Sequence, residues 1–125
     1  MLPRRRLALS LALLALGAWT ATGVALAQEA GLDALLSRAV ELHQAGDLEG
    51  ASALYVQVLR AVPSAWRVRS NLGAAWAGLG RYEDAIDQYR QALQQEDDPS
   101  IRRNMAVRLA RASSMAERTW GRSAG

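Results

Sequence analysis

Carboxylates and phenols crowd one stretch of this chain. Between Leu79 and Leu93 the sequence LGRYEDAIDQYRQAL sets Glu83, Asp84 and Asp87 beside Tyr82 and Tyr89. Such a cluster could serve general acid–base chemistry, which requires a desolvated carboxylate with a shifted pKa. A second acidic run, Glu96-Asp97-Asp98, offers oxygen ligands suited to Ca²⁺ but lacks the alternating spacing and Gly of a calcium loop. His43 is the only histidine and there is no cysteine. A two-histidine metal site, a thiol nucleophile, a disulfide and a cysteine metal site are therefore all excluded within the chain. Ser113-Ser114 has no base near it in sequence. Gly73, Gly78 and Gly80 follow no strand, so they form no phosphate loop. Nucleic-acid binding needs a basic surface carrying aromatics, and only Arg102, Arg103, Arg108, Arg111, Arg118 and Trp120 approach that. No catalytic, metal or cofactor residue emerges, and the chain reads as a non-enzyme.

An internal repeat reveals the elements that must carry these groups. Shifted by 34 residues, LGRYEDAIDQYRQAL lies on AGDLEGASALYVQVL (45–59) without a gap. The identities are Gly80 with Gly46, Glu83 with Glu49, Ala85 with Ala51, Tyr89 with Tyr55, Gln91 with Gln57 and Leu93 with Leu59. Two of the three acids are lost in the copy, while the Gly, Ala and Tyr are kept. The repeated feature is therefore packing, and the acids fall in the first turns of a helix, where carboxylates favour its positive end. Asp87 is also spaced to pair with Arg90 or Gln91. A further echo lays Arg69–Trp76 over Arg102–Leu109 at a shift of 33, the beginning of a third unit.

Leu72, Gly73, Trp76, Gly80, Tyr82, Ala85, Tyr89 and Ala92, with Pro99 just beyond, resemble the tetratricopeptide repeat, a 34-residue helix-turn-helix. Gly46, Leu48, Ala51, Tyr55 and Pro63 form a degenerate first unit, and Asn104, Met105, Ala106 and Leu109 a third A-type helix. The resemblance implies an all-α fold, a short α-solenoid of about two and a half units with a capping last helix. Helices are expected at 32–45, 48–61, 65–79, 82–95 and 99–118, with repeats at 32–65 and 66–98 and a flexible tail at 119–125. Gly46 and Gly80 stand where helices end and a positive φ is useful.

The same resemblance implies a concave groove that holds a peptide or partner protein. Carried onto this chain, its lining is Leu36, Val40 and His43 from the first unit, Arg67, Ser70, Ala74 and Ala77 from the second, and Arg103 and Val107 from the third. These residues depart from the Lys, Arg and Asn of family members that clamp a C-terminal carboxylate. A mixed apolar and acidic peptide suits them better. The partner implied is another protein, with self-association open and nucleic acid not expected.

Residues 1–27 stand apart. MLPRRRLALSLALLALGAW is a basic segment followed by an apolar one, and Ala25-Leu26-Ala27 precedes Gln28 in the layout of a secretory signal peptide. The apolar run from 7 to 27 also reaches the length of an uncleaved anchor helix. Either reading puts the remainder outside the cytoplasm, in the periplasm or anchored to the inner membrane and facing it. The alternative function is accordingly a membrane-anchored accessory subunit of an envelope complex, docking through its basic C-terminal helix.

The formal charge of +3 comes from 15 Arg against 12 acids, and Arg4, Arg5 and Arg6 account for the excess. Residues 28–100 carry 6 Arg and 11 acids, whereas 101–125 carry 6 Arg and only Glu117. Such asymmetry marks either a helix lying on its own acidic body or a docking surface for an acidic partner. Mass spectrometry of the native protein is expected to find an N-terminus at Gln28; an intact residue 1 would identify the segment as an anchor.

Overall fold

Glycines at two turns set the frame. Gly46 has φ 86° and Gly80 φ 81°, the left-handed region that glycine enters without a Cβ penalty and that commonly closes a helix. In the computed structural model, which describes residues 25–124, these glycines follow the helices that end at 44 and at Gly78. α1 takes in residues 25–44, followed by α2 (Leu48–Ala61), α3 (Trp66–Gly78), α4 (Tyr82–Gln95) and α5 (Pro99–Ala124). Contacts divide the chain into two units after Ala34. Of the first unit, the described residues 25–34 are helical and largely exposed. The expected signal or anchor otherwise lies outside the described residues, among which no helix is long and apolar enough to cross a membrane. The second unit, from Leu35 onward, holds the repeats.

Helix starts are capped where the sequence permits. Asp47 precedes α2, and its Oδ1 accepts from the Gly50 amide at 2.9 Å, satisfying one of the donors left free at a helix start. Asp98 does the same for α5, accepting from the Ser100 amide at 2.8 Å and from its hydroxyl at 2.7 Å. These bonds hold the exposed Asp98 carboxyl below its ordinary pKa. Pro99 comes next, at the first helical position, where no amide proton is needed. Glu96 turns inward rather than into solvent, and its carboxylate accepts from the Asp98 amide at 2.6 Å. The acidic run Glu96-Asp97-Asp98 is thus in part a capping structure.

α2 and α4 have the expected bounds, and α3 is one residue shorter at each end. α1, expected from 32, is already helical at 25–31, and α5 continues six residues beyond 118, through what reads in sequence as a tail. Its Ser and Thr side chains bond back along the helix, Thr119 Oγ1 to the Met115 carbonyl at 3.0 Å and Ser123 Oγ to that of Thr119 at 3.1 Å. Residues that usually compete with helical backbone are here compatible with it.

Packing follows the repeated residues. One core cluster gathers Ala39, Ala51, Tyr55, Val58, Leu59, Val68, Leu72 and Ala75, and a second gathers Ala85, Tyr89 and Ala112 with Trp76, Ala77, Ile86 and Leu109 against it. Small residues let the helices approach closely. A Cβ built on Gly73 would lie 2.8 Å from Tyr89 Cε1, and Tyr89 is only 3% exposed, so its ring has no room to retreat. Gly73→Val is expected to destabilise the domain by about 2 kcal/mol or more through overpacking. Gly121, with nothing within 4 Å of an added Cβ, is expected to gain about 0.5–1 kcal/mol on change to Ala. Denaturant melts of both variants check the contrast.

Candidate functional site

The acids of LGRYEDAIDQYRQAL are all exposed, whereas Ala85, Tyr89 and Ala92 of the same helix are buried. Glu83 and Asp84 lie in the first turn of α4. An ion pair joins Arg81 Nε to Asp84 Oδ2 at 2.9 Å, and no pair forms from Asp87 to Arg90 among the described residues. Arg81 also covers the Trp76 ring, 4.5 Å from its centroid. The stretch anchors a helix and its preceding turn, and it encloses no desolvated carboxylate.

Two crevices lie where α5 crosses the open side of α3. One, of about 270 Å³, is lined by Trp66, Arg67, Ser70 and Asn71 of α3 and by Ile101, Asn104, Met105 and Arg108 of α5. The next, of about 380 Å³, is lined by Ala74, Ala77, Gly78 and Tyr89 with Arg108, Arg111, Ala112 and Met115. Arg108 belongs to both and bridges the helices, donating from Nη1 to the Ser70 hydroxyl at 3.2 Å. Small residues set the floor. Ala74, Ala77 and Gly78 keep it low, and Gly78 lies so close to Leu48 of α2 that an added Cβ would collide with it.

The expected lining residues separate into three groups. Arg67, Ser70, Ala74 and Ala77 line these crevices together. Ser70 is nearly buried and serves as Arg108's partner, and Arg67 rests over Trp66 at 5.0 Å. Leu36 and Val40 instead pack against the first core cluster. His43 is half-buried, its Nδ1 sharing a hydrogen bond of 3.2 Å with the Tyr55 hydroxyl. Arg103 and Val107 are exposed on α5, Val107 by 65%, and do not line either crevice.

The residues lining the crevices from α5 are one position on. The 33-residue shift aligns the core correctly, Leu72 with Met105, but α5 lies against α3 along the neighbouring stripe. That stripe, Asn104, Arg108, Arg111, Met115, Arg118 and Arg122, repeats at intervals of four and three, a helical face readable from spacing alone.

Repeated antiparallel helix pairs with a crevice along their A-type helices define a helical-repeat solenoid, a class whose concave surfaces serve binding. Within it, a family model for the tetratricopeptide repeat matches residues 36–100, just over half of the chain, and the protein belongs to that family. No curated protein matches the chain.

Tyr55 and Tyr89 have pKa values raised above 10.0 by burial, a rise that Arg108 partly offsets at Tyr89. The folded state therefore holds each phenol proton more tightly than the unfolded chain. That contribution is complete below the unfolded phenol pKa and is lost as pH rises through the folded one. The melting temperature is expected to stay level between about pH 7 and 9 and to fall above about pH 10. In Tyr89→Phe the alkaline fall should be shallower, as a thermal-melt series against pH would show.

Proposed function

We propose that this protein is a non-enzymatic interaction module that holds a peptide segment of a partner protein in the crevices between α3 and α5. The repeat family is one of protein–protein interaction modules, which supports the general role. The single observation that supports the location is the small-residue floor, Ala74, Ala77 and Gly78, lying open between two helices and faced by arginines. Such a floor admits ligand side chains, while arginines supply directed hydrogen bonds to carboxylates or carbonyls.

The proposed setting is outside the cytoplasm, with residues 1–27 acting as the export signal or, in the second reading, as an anchor that makes the chain an envelope accessory subunit. That second reading is favoured by one feature, the basic α5 and its exposed Trp120, 74% accessible, a residue type common at wet apolar boundaries.

Ala74→Leu fills the crevice from its floor without adding charge. Partners recovered from native extract are expected to fall about tenfold with this variant, the loss typical of a central contact. Arg60→Gln, distant on α2, should leave recovery unchanged. Equal recovery with Ala74→Leu, in a protein that melts like the wild type, would contradict the groove assignment.

A further inference from the structure

α5 has two stripes. The first, Ile101, Met105, Leu109, Ala112 and Ala116, is half-buried or buried and forms the packing face of the helix. The second is Asn104, Arg108, Arg111, Met115, Arg118 and Arg122. Its members line a continuous series of crevices: Arg108 and Arg111 over the α3 floor, then Met115, Arg118 and Arg122 beside Tyr82 at the start of α4, in a hollow of about 490 Å³. The ion pairs formed by described residues are Arg38–Glu41, Arg81–Asp84 and Arg102–Asp97. None involves an arginine of the stripe. Four guanidinium groups are therefore arrayed along one side of one helix, with no carboxylate of the described residues within ion-pair distance, next to a body in which 11 acids oppose 6 Arg.

Resting on the groove reading above, we infer that the partner segment is acidic along its length and that the arginine stripe of α5 reads its side-chain carboxylates. From Arg108 to Arg122 the helix rises about 21 Å at 1.5 Å per residue. An extended peptide covers that distance in roughly six residues at about 3.3 Å each. Successive side chains of such a peptide point to opposite sides. Alternate carboxylates can thus meet the arginines while the intervening side chains enter the low floor at Ala74, Ala77 and Gly78 or touch Met115. Arg is the residue suited to this task, since its planar fork meets a carboxylate with two parallel hydrogen bonds.

The shape of the site favours a polypeptide over the two other polyanions a basic helix attracts. Arg108 and Arg111 flank a crevice between helices that Arg108 bridges to Ser70, a concave setting suited to inserted side chains. Recognition falls on internal side chains, so a free C-terminus is not required of the ligand.

The test uses two probes, N-acetylated and C-amidated octapeptide mixtures with Glu or Gln at alternate positions and Ala, Leu, Met, Val or Tyr between. Each is titrated into ¹⁵N-labelled protein. The Glu mixture is expected to shift the amides of Ala74, Ala77, Arg108 and Arg111 and to bind about tenfold more tightly than the Gln mixture. Arg111→Gln combined with Arg118→Gln should weaken the Glu mixture about fivefold, whereas Arg60→Gln with Arg90→Gln, an equal change in net charge elsewhere, should not. Equal affinity for the two mixtures at the same amides would overturn the acidic assignment and leave the groove intact. Shifts confined to other surfaces, or none with either mixture, would overturn the groove reading and this inference together. Equal losses from the two arginine pairs, or tighter binding to phosphatidylserine vesicles than to the Glu mixture, would also overturn it.

Discussion

Tyr89 seated over Gly73 is the contact on which the remaining architecture depends. The absence of a Cβ at Gly73 lets α4 approach α3 until the phenol ring lies in van der Waals range of the backbone. The same ring belongs with Ala85 and Ala112 to one buried cluster, so it joins α3, α4 and α5 at a single point. Close packing of this kind tolerates little change in volume. Because α4 is fixed against α3, α5 is fixed against α4, and the distance between α3 and α5 becomes small enough for Arg108 to span to Ser70. The crevices are what is left between two A-type helices held at that separation.

Much of this was legible in the sequence because a repeat states its packing twice. Ala51 and Ala85, Tyr55 and Tyr89, Gly46 and Gly80 occupy equivalent places, and the structure buries the first two pairs and gives both glycines a positive φ. The α3 side of the crevices was readable for the same reason, since Leu72, Gly73 and Trp76 fix the register of that helix. Acids that varied between the copies proved to be exposed.

α5 was harder to read, and the reasons are physical. It packs against α4 on one side only, so its apolar positions are sparse, and a single alignment of Leu72 with Met105 fixed the core face without saying which neighbouring stripe meets α3. Arg103 and Val107 followed from that alignment, whereas Asn104, Arg108 and Arg111 line the crevices. The continuation to Ala124 was hidden by Thr119, Gly121 and Ser123, residues of weak helix propensity. Leu36, Val40 and His43 were assigned by position in a repeat whose first helix is degenerate. Two of them complete the core, and the third is tied to Tyr55.

Proton NMR offers the most direct measurement of the central contact. The Tyr89 ring should give strong nuclear Overhauser effects both to the Gly73 Hα protons and to the Ala112 methyl, with the Gly73 Hα resonances displaced upfield by the ring. Cross-peaks to both would establish that one side chain holds α3, α4 and α5 together. A Tyr89 ring that shows neither, with Gly73 Hα shifts at ordinary values, would contradict the arrangement from which the crevices and the arginine stripe are derived.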